Sequence, residues 1–309
     1  MALRFTLRQL EYFVAVGDAG SIAAAAQQIH VSSPSISTAI AQLEASFSVA
    51  LFVRQHAQGL SLTPGGRRFY AAARAVLESA GALHDVANDI SEQVRGPIAV
   101  GALVTVAAFV LPALRHGFEQ AHPEVALRQR EAHQEDLIAM LRRAEVDIAI
   151  TYDLDIPADI AFEPLLELPP RAVFSPAHPL AGRGSVTLEQ LAGEKLVLLD
   201  LPLSREYFLA LFEAAGLRPL IAERTPHLAM LRSMVANGFG YGLLNLASTN
   251  AFAADGKPLS YVPIRGKLRP LKLGLATMRA DRKARILEAF EEHCRERLTA
   301  ASAPGLSLS

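Results

Sequence analysis

Cysteine is almost absent from this chain of 309 residues: Cys294 is the only one, which excludes an intramolecular disulfide framework. The amino-terminal segment lacks a basic stretch followed by an apolar run, so no secretion signal is read there and a cytoplasmic location is expected. Excess positive charge is missing where a nucleic-acid partner would call for it. Residues 1–63 set Arg4, Arg8 and Arg54 against Glu11, Asp18 and Glu44 and are formally neutral.

Motifs of chemistry are missing too. The nine histidines include no HExxH or similar pair, and the adjacent His293 and Cys294 diverge on a helix, so no metal is expected. Asp153, Asp155 and Asp159 have the spacing of a calcium loop, but Ala158 and Pro164 stand where its turn glycine and closing glutamate belong. Gly238, Gly240 and Gly242 precede or lie within a strand pattern instead of leading from strand to helix, so they are not a dinucleotide fingerprint. No GxSxG elbow occurs. No catalytic residue and no cofactor are therefore expected.

One long uncharged run, residues 96–114, is nearly long enough to span a bilayer. It reads better as a buried strand at 97–103, a turn at Val104 and Thr105, and a helix from 106 to 118 that continues past Arg115. Parallel strands buried on both faces look continuously apolar, and Pro97, Gly101 and Pro112 fit the punctuation. A content of 51% hydrophobic and 20% charged residues describes a packed chain of about two domains, not a disordered one.

What is present begins at residues 21–54. Ile22, Ala25, Ala26 and Ile29 recur at i, i+3, i+4, i+7 behind Ser21 as N-cap, which predicts a short helix with one buried face. A second helix opens with Ser33 as N-cap and Pro34 at the first helical position, and buries Ile36, Ile40, Leu43 and Phe47. At 100° per residue, Ser35, Thr38, Ala41 and Gln42 then point outward. Small and hydrogen-bonding side chains on such a face suit the major groove, although a three-helix bundle with a solvated polar face has the same spacing. Leu7, Leu10, Phe13 and Val14 supply a preceding helix that ends near Gly17 and Gly20. Residues 51–54 and 60–63 are extended around the turn QHAQG, which reads as a β-wing.

These segments, LRQLEYFVAV, GSIAAAAQQIHVSSPSIS, IAQLE, LFVR and LSLTPGG, stand in the order and spacing of the LysR-type transcriptional regulators, which the chain resembles. The resemblance implies a winged helix-turn-helix that binds double-stranded promoter DNA, with Ser33, Pro34, Ser35, Ser37, Thr38, Gln42 and Arg54 on its DNA-facing side. Family members commonly carry glutamine before the turn proline, where this chain has Ser33. They often carry a basic or amide pair where it has Thr38 and Ala39, so an operator preference does not carry over.

Thr63 and Pro64 open a further helix by the same cap-then-proline logic. Arg67 and Arg68 on its first turn are candidates for phosphate contact, beside the plainer reading of solvated surface arginines. Phe69, Ala73, Val76, Ala80, Leu83, Ala87 and Ile90 then alternate in steps of four and three, the seam of a helix packed along another. The same spacing fits a helix packed on its own domain. The resemblance makes it a dimerisation linker, and implies a homodimer or homotetramer.

After Arg95, strand and helix patterns alternate: 98–103, a helix to 120, 125–131, 134–144 and 146–151 predict a β-α-β-α-β unit of parallel strands. The series recurs at 195–199, 205–215, 221–224, 227–236 and 240–246, and the text AMLR stands at 139–142 and again at 229–232. Two such units suggest two lobes with a cleft beyond the carboxyl ends of their strands. The resemblance implies the same, a periplasmic-binding-protein-like (type 2) effector domain, and no membrane.

The whole chain is thus read as α/β with an N-terminal all-α winged helix-turn-helix. The head spans 1–63, a linker helix 64–93 and an effector-binding domain 94–300, followed by a mobile tail at 301–309. Lobe I takes about 94–165 and 269–300, and lobe II about 166–268. One crossover is placed near 164–168 and the return near 267–271, with a last strand at 271–276 and a helix at 281–298.

Strand ends nominate the cleft residues Val104, Thr105, Thr151, Tyr152, Leu201, Pro202, Ser204 and His227, each of which also reads as a cap, turn or core position. With Leu203 and Phe109 they suggest an unidentified small-molecule effector with an apolar body, for whose anionic head Arg205 or Arg224 could serve, unless each is a surface ion-pair residue. The expected function is a ligand-responsive, sequence-specific DNA-binding regulator of the LysR type and not an enzyme. The alternative is a cytoplasmic small-molecule-binding protein or enzyme that uses the amino-terminal module for assembly.

Overall fold

The computed structural model describes residues 5–55, 59–91, 94–280, 282–299, 301 and 303–307. The chain divides into two compact units between Ser91 and Glu92.

In the first unit, α1 (Leu7–Ala19) starts from a capping box in which Thr6 and Gln9 satisfy each other's free groups, and stops at Gly20 in the left-handed conformation. Ser21 caps α2 (Ile22–Gln28) by accepting from the Ala24 N–H. The cap of α3 (Ser33–Phe47) is Ser32, not Ser33: its hydroxyl accepts from the Ser35 N–H, and Ser33 is already helical. Leu10, Phe13, Ile36 and Leu43 are buried between these helices. Phe47, expected in that core, is 40% exposed because it lies at the last position of α3, where its ring meets Phe5 and Phe69 at the edge.

The hairpin β1 (Phe52–Gln55) and β2 (Gly59–Leu62) is antiparallel and leads into α4 (Pro64–Ser91). Thr63 accepts from the Gly66 N–H and donates to the Ala50 carbonyl, which clips the wing to the helix start. Glycine is required at 66, since a Cβ there would stand 2.0 Å from the Leu51 carbonyl oxygen.

The second unit runs β3 (Gly96–Leu103), α5 (Val104–Ala121), β4 (Val125–Ala132), α6 (Gln134–Arg142), β5 (Ile148–Tyr152) and β6 (Ile160–Leu168). It continues through β7 (Arg171–Phe174), α7 (Leu188–Ala192), β8 (Lys195–Leu199), α8 (Ser204–Ala214), β9 (Leu220–Thr225), α9 (Leu228–Ala236), β10 (Gly242–Leu244) and β11 (Ser260–Pro263). It ends with β12 (Leu271–Met278) and α10 (Arg285–Arg297). Lobe I is a five-stranded sheet in the order β4-β3-β5-β12-β6, where β3 is parallel to both neighbours and β12 antiparallel to both of its own. Lobe II pairs β8 with β9 in parallel and builds β10-β7-β11 antiparallel, the two linked through a bridge from Leu196 to Tyr241.

The uncharged run at 96–114 becomes β3 and the first part of α5, with Val100, Ala102, Val106 and Val110 buried. No turn intervenes at Val104 and Thr105, because β3 passes directly into α5. Among the described residues no helix is long and apolar enough to cross a membrane. The strand expected at 240–246 is shorter: Tyr241 pairs by a single bridge to Leu196, and β10 itself spans only Gly242–Leu244.

The tail departs most from expectation. Far from mobile, residues 303–307 pack on the second unit, with Ala303 and Leu306 buried. Thr249 donates its N–H to the Gly305 carbonyl at 3.1 Å and Ser307 to the Ala247 carbonyl at 2.8 Å. Gly305 sits at φ +70 with room for no Cβ, which would fall 2.6 Å from the Phe109 carbonyl oxygen. A pair of apolar side chains three apart, with backbone pairing, suffices where a receptive surface exists. No periodicity in the tail announced it.

Candidate functional site

The first unit offers an outward row on α3. Pro34, Ser35, Ser37, Thr38 and Gln42 are exposed, Ser33 is half-buried, and Ile36, Ala39, Ile40 and Leu43 are buried beneath them. Ala39, one of the departures from the family pattern, therefore belongs to the core face, and only Ser33 and Thr38 bear on what the row presents. The Ser35 hydroxyl lies 2.7 Å from that of Ser32, beside the α3 amino terminus, where free N–H groups favour an anion such as a phosphate. Arg67 and Arg68 are both exposed; Arg67 donates to the Leu62 carbonyl at 3.0 Å and so stays close to the wing. Arg54 has its backbone in β1, while its side chain lies outside the described set.

Two residues that were not nominated hold this surface in place. Glu44 accepts from the backbone N–H groups of Leu51 and Phe52 at 2.7 and 3.3 Å, fixing the wing's entry to α3. Gln9 donates to Gln42 at 2.7 Å. Neither carries a sequence signal beyond the motif text itself, because both act across the fold.

The seam on α4 divides. Phe69 packs edge-on against Phe13 and Phe47, with centroids 5.3 and 4.9 Å apart, and Ala73 is buried in the head core beside Leu10 and Leu43. These two positions are spent on the helix's own unit, which corrects their assignment to an intermolecular seam. Farther along, Ala80 is half-buried, and Val76 and Leu83 are 40% and 71% exposed. The side chains of Ala87 and Ile90 lie outside that set.

In the second unit the strand ends of both lobes meet. Thr105, Tyr152 and Ser204, three of the nominated residues, line one cavity with Leu199, Leu228 and Asn245. Its volume is about 20 Å³, space for about one water molecule. Val104, at the start of α5 in lobe I, packs on the core of lobe II, whose members include Leu199 and Leu201. Leu201 is thus core, and Pro202 is an exposed turn residue. Thr151 is fully buried and donates to Gln134 within lobe I, and His227 is exposed at the N-cap position of α9. Arg205 and Arg224 are both committed to Asp200, at 2.6 and 3.4 Å, and the Arg205 hydrogen bond holds that carboxyl below its ordinary range.

Behind the cavity lies a hub that sequence reading missed. Asn245 donates from Nδ2 to the Leu168 carbonyl at 2.8 Å and to the Tyr207 hydroxyl at 3.1 Å, and that hydroxyl donates to the Arg269 carbonyl at 2.7 Å. Leu168 and Arg269 stand on the two chain crossings between the lobes, so α8 is fastened to both. Burial pushes the Tyr207 hydroxyl up to about 12, and it remains a protonated donor at neutral pH. Among the described residues no group of acids, histidines and cysteine could hold a metal.

Comparison with known proteins agrees with this architecture. A family model described as "Bacterial regulatory helix-turn-helix protein, lysR family" matches residues 7–67, and one described as "LysR substrate binding domain" matches residues 91–299. The "Hydrogen peroxide-inducible genes activator" of Dickeya chrysanthemi is 31% identical over 83% of this chain and 84% of its own. A probable protein of the same description from Mycobacterium avium is 31% identical over 91% and 86%. Among solved structures, HinK, a LysR family transcriptional regulator from Pseudomonas aeruginosa, is 37% identical, covers 96% of this chain and 99% of its own, and superimposes with a TM-score of 0.64.

Proposed function

The chain belongs to the LysR family of bacterial transcriptional regulators, and from that premise we propose which of its residues read DNA and how an effector acts. It is a ligand-responsive DNA-binding regulator that acts on promoter DNA as an oligomer, and not an enzyme. The outward row of α3, Ser35, Thr38 and Gln42, enters the major groove, while Arg67 and Arg68 hold phosphates. The observation that carries this reading is the exposure of that row above a core face made of Ile36, Ala39, Ile40 and Leu43.

The effector is proposed to bind between the lobes at Thr105, Tyr152 and Ser204. A cavity of about 20 Å³ is too small for a metabolite, so binding there requires the lobes to part. A ligand that binds only the opened arrangement has the differential affinity needed to shift the equilibrium. The peroxide response belongs to the relatives by name. A peroxide-reactive sulfur must be accessible and ionised, whereas Cys294 is fully buried and burial pushes its thiol up. Reversible binding of a small molecule, in a cytoplasmic setting, is therefore the proposed trigger.

The test is fluorescence anisotropy of the full chain on labelled DNA from the intergenic region beside its gene, with unrelated DNA as competitor. Sequence-preferring binding that is lost in a Ser35→Glu, Thr38→Glu double variant with unchanged circular dichroism is expected. Binding indifferent to sequence, or unchanged in that variant, would overturn the reading.

A further inference from the structure

The second unit holds an apolar groove roomier than the cavity between the strand ends. This groove, of about 440 Å³, runs along α8, lined by Leu154, Leu203, Ala210, Leu211 and Leu268. That volume lies in the range of small-molecule sites, whereas the strand-end cavity falls far below it.

Several features mark the groove as more than a surface dent. Tyr207 forms part of its wall, so an occupant would touch the side chain whose hydroxyl fastens α8 to the crossing at Arg269. Leu203 at its mouth has φ +65 and ψ −40, and the Ser204 N–H bonds back to the Pro202 carbonyl at 2.8 Å. That is a strained three-residue turn in a residue with a Cβ, of a kind that collects at ligand sites.

The rim sets the ligand's chemistry. Four charged side chains line it, and two are already paired: Arg269 with Asp153 at 3.0 Å, and Glu206 with Arg205. The other two, Lys267 and Asp155, are exposed and form no ion pair among the described residues, either with each other or with a third group. An apolar groove with one unpaired cation and one unpaired anion at its edge is complementary to a small zwitterion with an apolar body.

We propose that the α8 groove is a second effector site that binds a free hydrophobic α-amino acid. Its carboxylate faces Lys267, its ammonium faces Asp155, and its side chain lies against Leu211 and Ala210. A fatty acid would leave Asp155 unpaired, and an alkylamine would leave Lys267 so. The binding claim stands independently of where an effector enters between the lobes.

The experiment is isothermal titration of the full chain with L-leucine and L-phenylalanine, beside 4-methylpentanoate, which lacks the ammonium, and 3-methylbutylamine, which lacks the carboxylate. Saturable binding of the amino acids is expected, weaker by about tenfold or more for either truncated analogue. Ala210→Trp, at an exposed helix position that tolerates bulk, should abolish binding, and Lys267→Glu should weaken it about tenfold or more, both with unchanged circular dichroism. The proposal is overturned if neither amino acid binds, if 4-methylpentanoate binds equally well, or if Ala210→Trp binds like the parent. Promoter binding measured on the same preparations separates this failure from a failure of the DNA-reading assignment.

Discussion

Gln9 donates from Nε2 to Oε1 of Gln42 at 2.7 Å, joining α1 to the outward row of α3. The direction is fixed upstream, because Gln9 Oε1 already accepts from the Thr6 N–H at 2.8 Å. Gln42 is therefore left with Nε2 as a donor, which suits guanine O6 or N7 or a phosphate oxygen.

Replacement of Gln42 by alanine should cost about 1–3 kcal/mol of specific binding and leave the salt dependence unchanged. Arg68→Ala should instead weaken specific and nonspecific DNA alike and lower the salt slope by about one. Titrations at several salt concentrations distinguish the two. If Gln42→Ala changed the slope and Arg68→Ala did not, the roles would be reversed.

Leu83 and Ala73 share a heptad pattern but not a role, being 71% and 3% exposed. Leu83→Asp should yield smaller species in sedimentation while the melting of the head is unchanged. Ala73→Asp places an unpaired charge in the head core and should lower that melting temperature outright. An oligomer indifferent to Leu83→Asp would remove α4 from the interface.

Leu306 is 5% exposed and anchors the tail. Leu306→Ala should destabilise the second unit by about 2 kcal/mol or more, a melting shift of roughly 4–8 °C for a unit of this size. Calorimetry of the full chain checks it, and a shift below 1 °C (about 0.3 kcal/mol by the same scale) would return the tail to the mobile class.

Cys294 should resist thiol reagents in the native state and react only on unfolding. Peroxide treatment should leave promoter binding unchanged, and Cys294→Ala should respond to effector as the parent does. Loss of DNA binding in dilute peroxide that Cys294→Ala prevents would reinstate a thiol switch.

Acid should weaken the second unit in a defined window. Arg142, Arg295 and Arg205 hydrogen-bond Asp159, Glu163 and Asp200 and hold those carboxyls below their ordinary ranges. A depressed carboxyl contributes stability above its unfolded-state pKa of about 4, and loses it as pH falls through the lower folded-state value. The urea midpoint should therefore drop below about pH 4, and the gap between the parent and Arg295→Met should narrow there. Arg295 and Glu163 are 38% and 41% exposed, so solvent screening should hold that gap to about 1 kcal/mol at neutral pH. A gap constant down to pH 2 would show that Arg295 acts through packing alone.

Much of the chain is legible without a structure, since local rules set helices, caps and strands. The head's periodicity places Ile36, Ile40 and Leu43 in the core and Ser35, Thr38 and Gln42 outside, because a helix of 3.6 residues per turn permits no other arrangement once one face is apolar. The repeated text AMLR falls on α6 and on α9, with Leu141 and Leu231 both buried as the shared spacing requires. Its arginines diverge: Arg142 meets Asp159 at 2.7 Å, while Arg232 is buried and donates to the carbonyls of Asn250 and Phe252. Identical local text cannot encode that difference, because the partners come from distant segments.

The same division separates the two halves of the function. That this is a LysR-type DNA-binding regulator is legible along the chain, since its helix-turn-helix text is read over contiguous residues whose spacing is the geometry. Which seam residues the head keeps, that the tail is bound, that Arg205 and Arg224 are both paired with Asp200, and that Tyr207 and Asn245 fasten the crossings emerge only from the fold. Each of these depends on groups far apart in the chain meeting at hydrogen-bond or van der Waals distance, and such contacts leave no periodic trace along it.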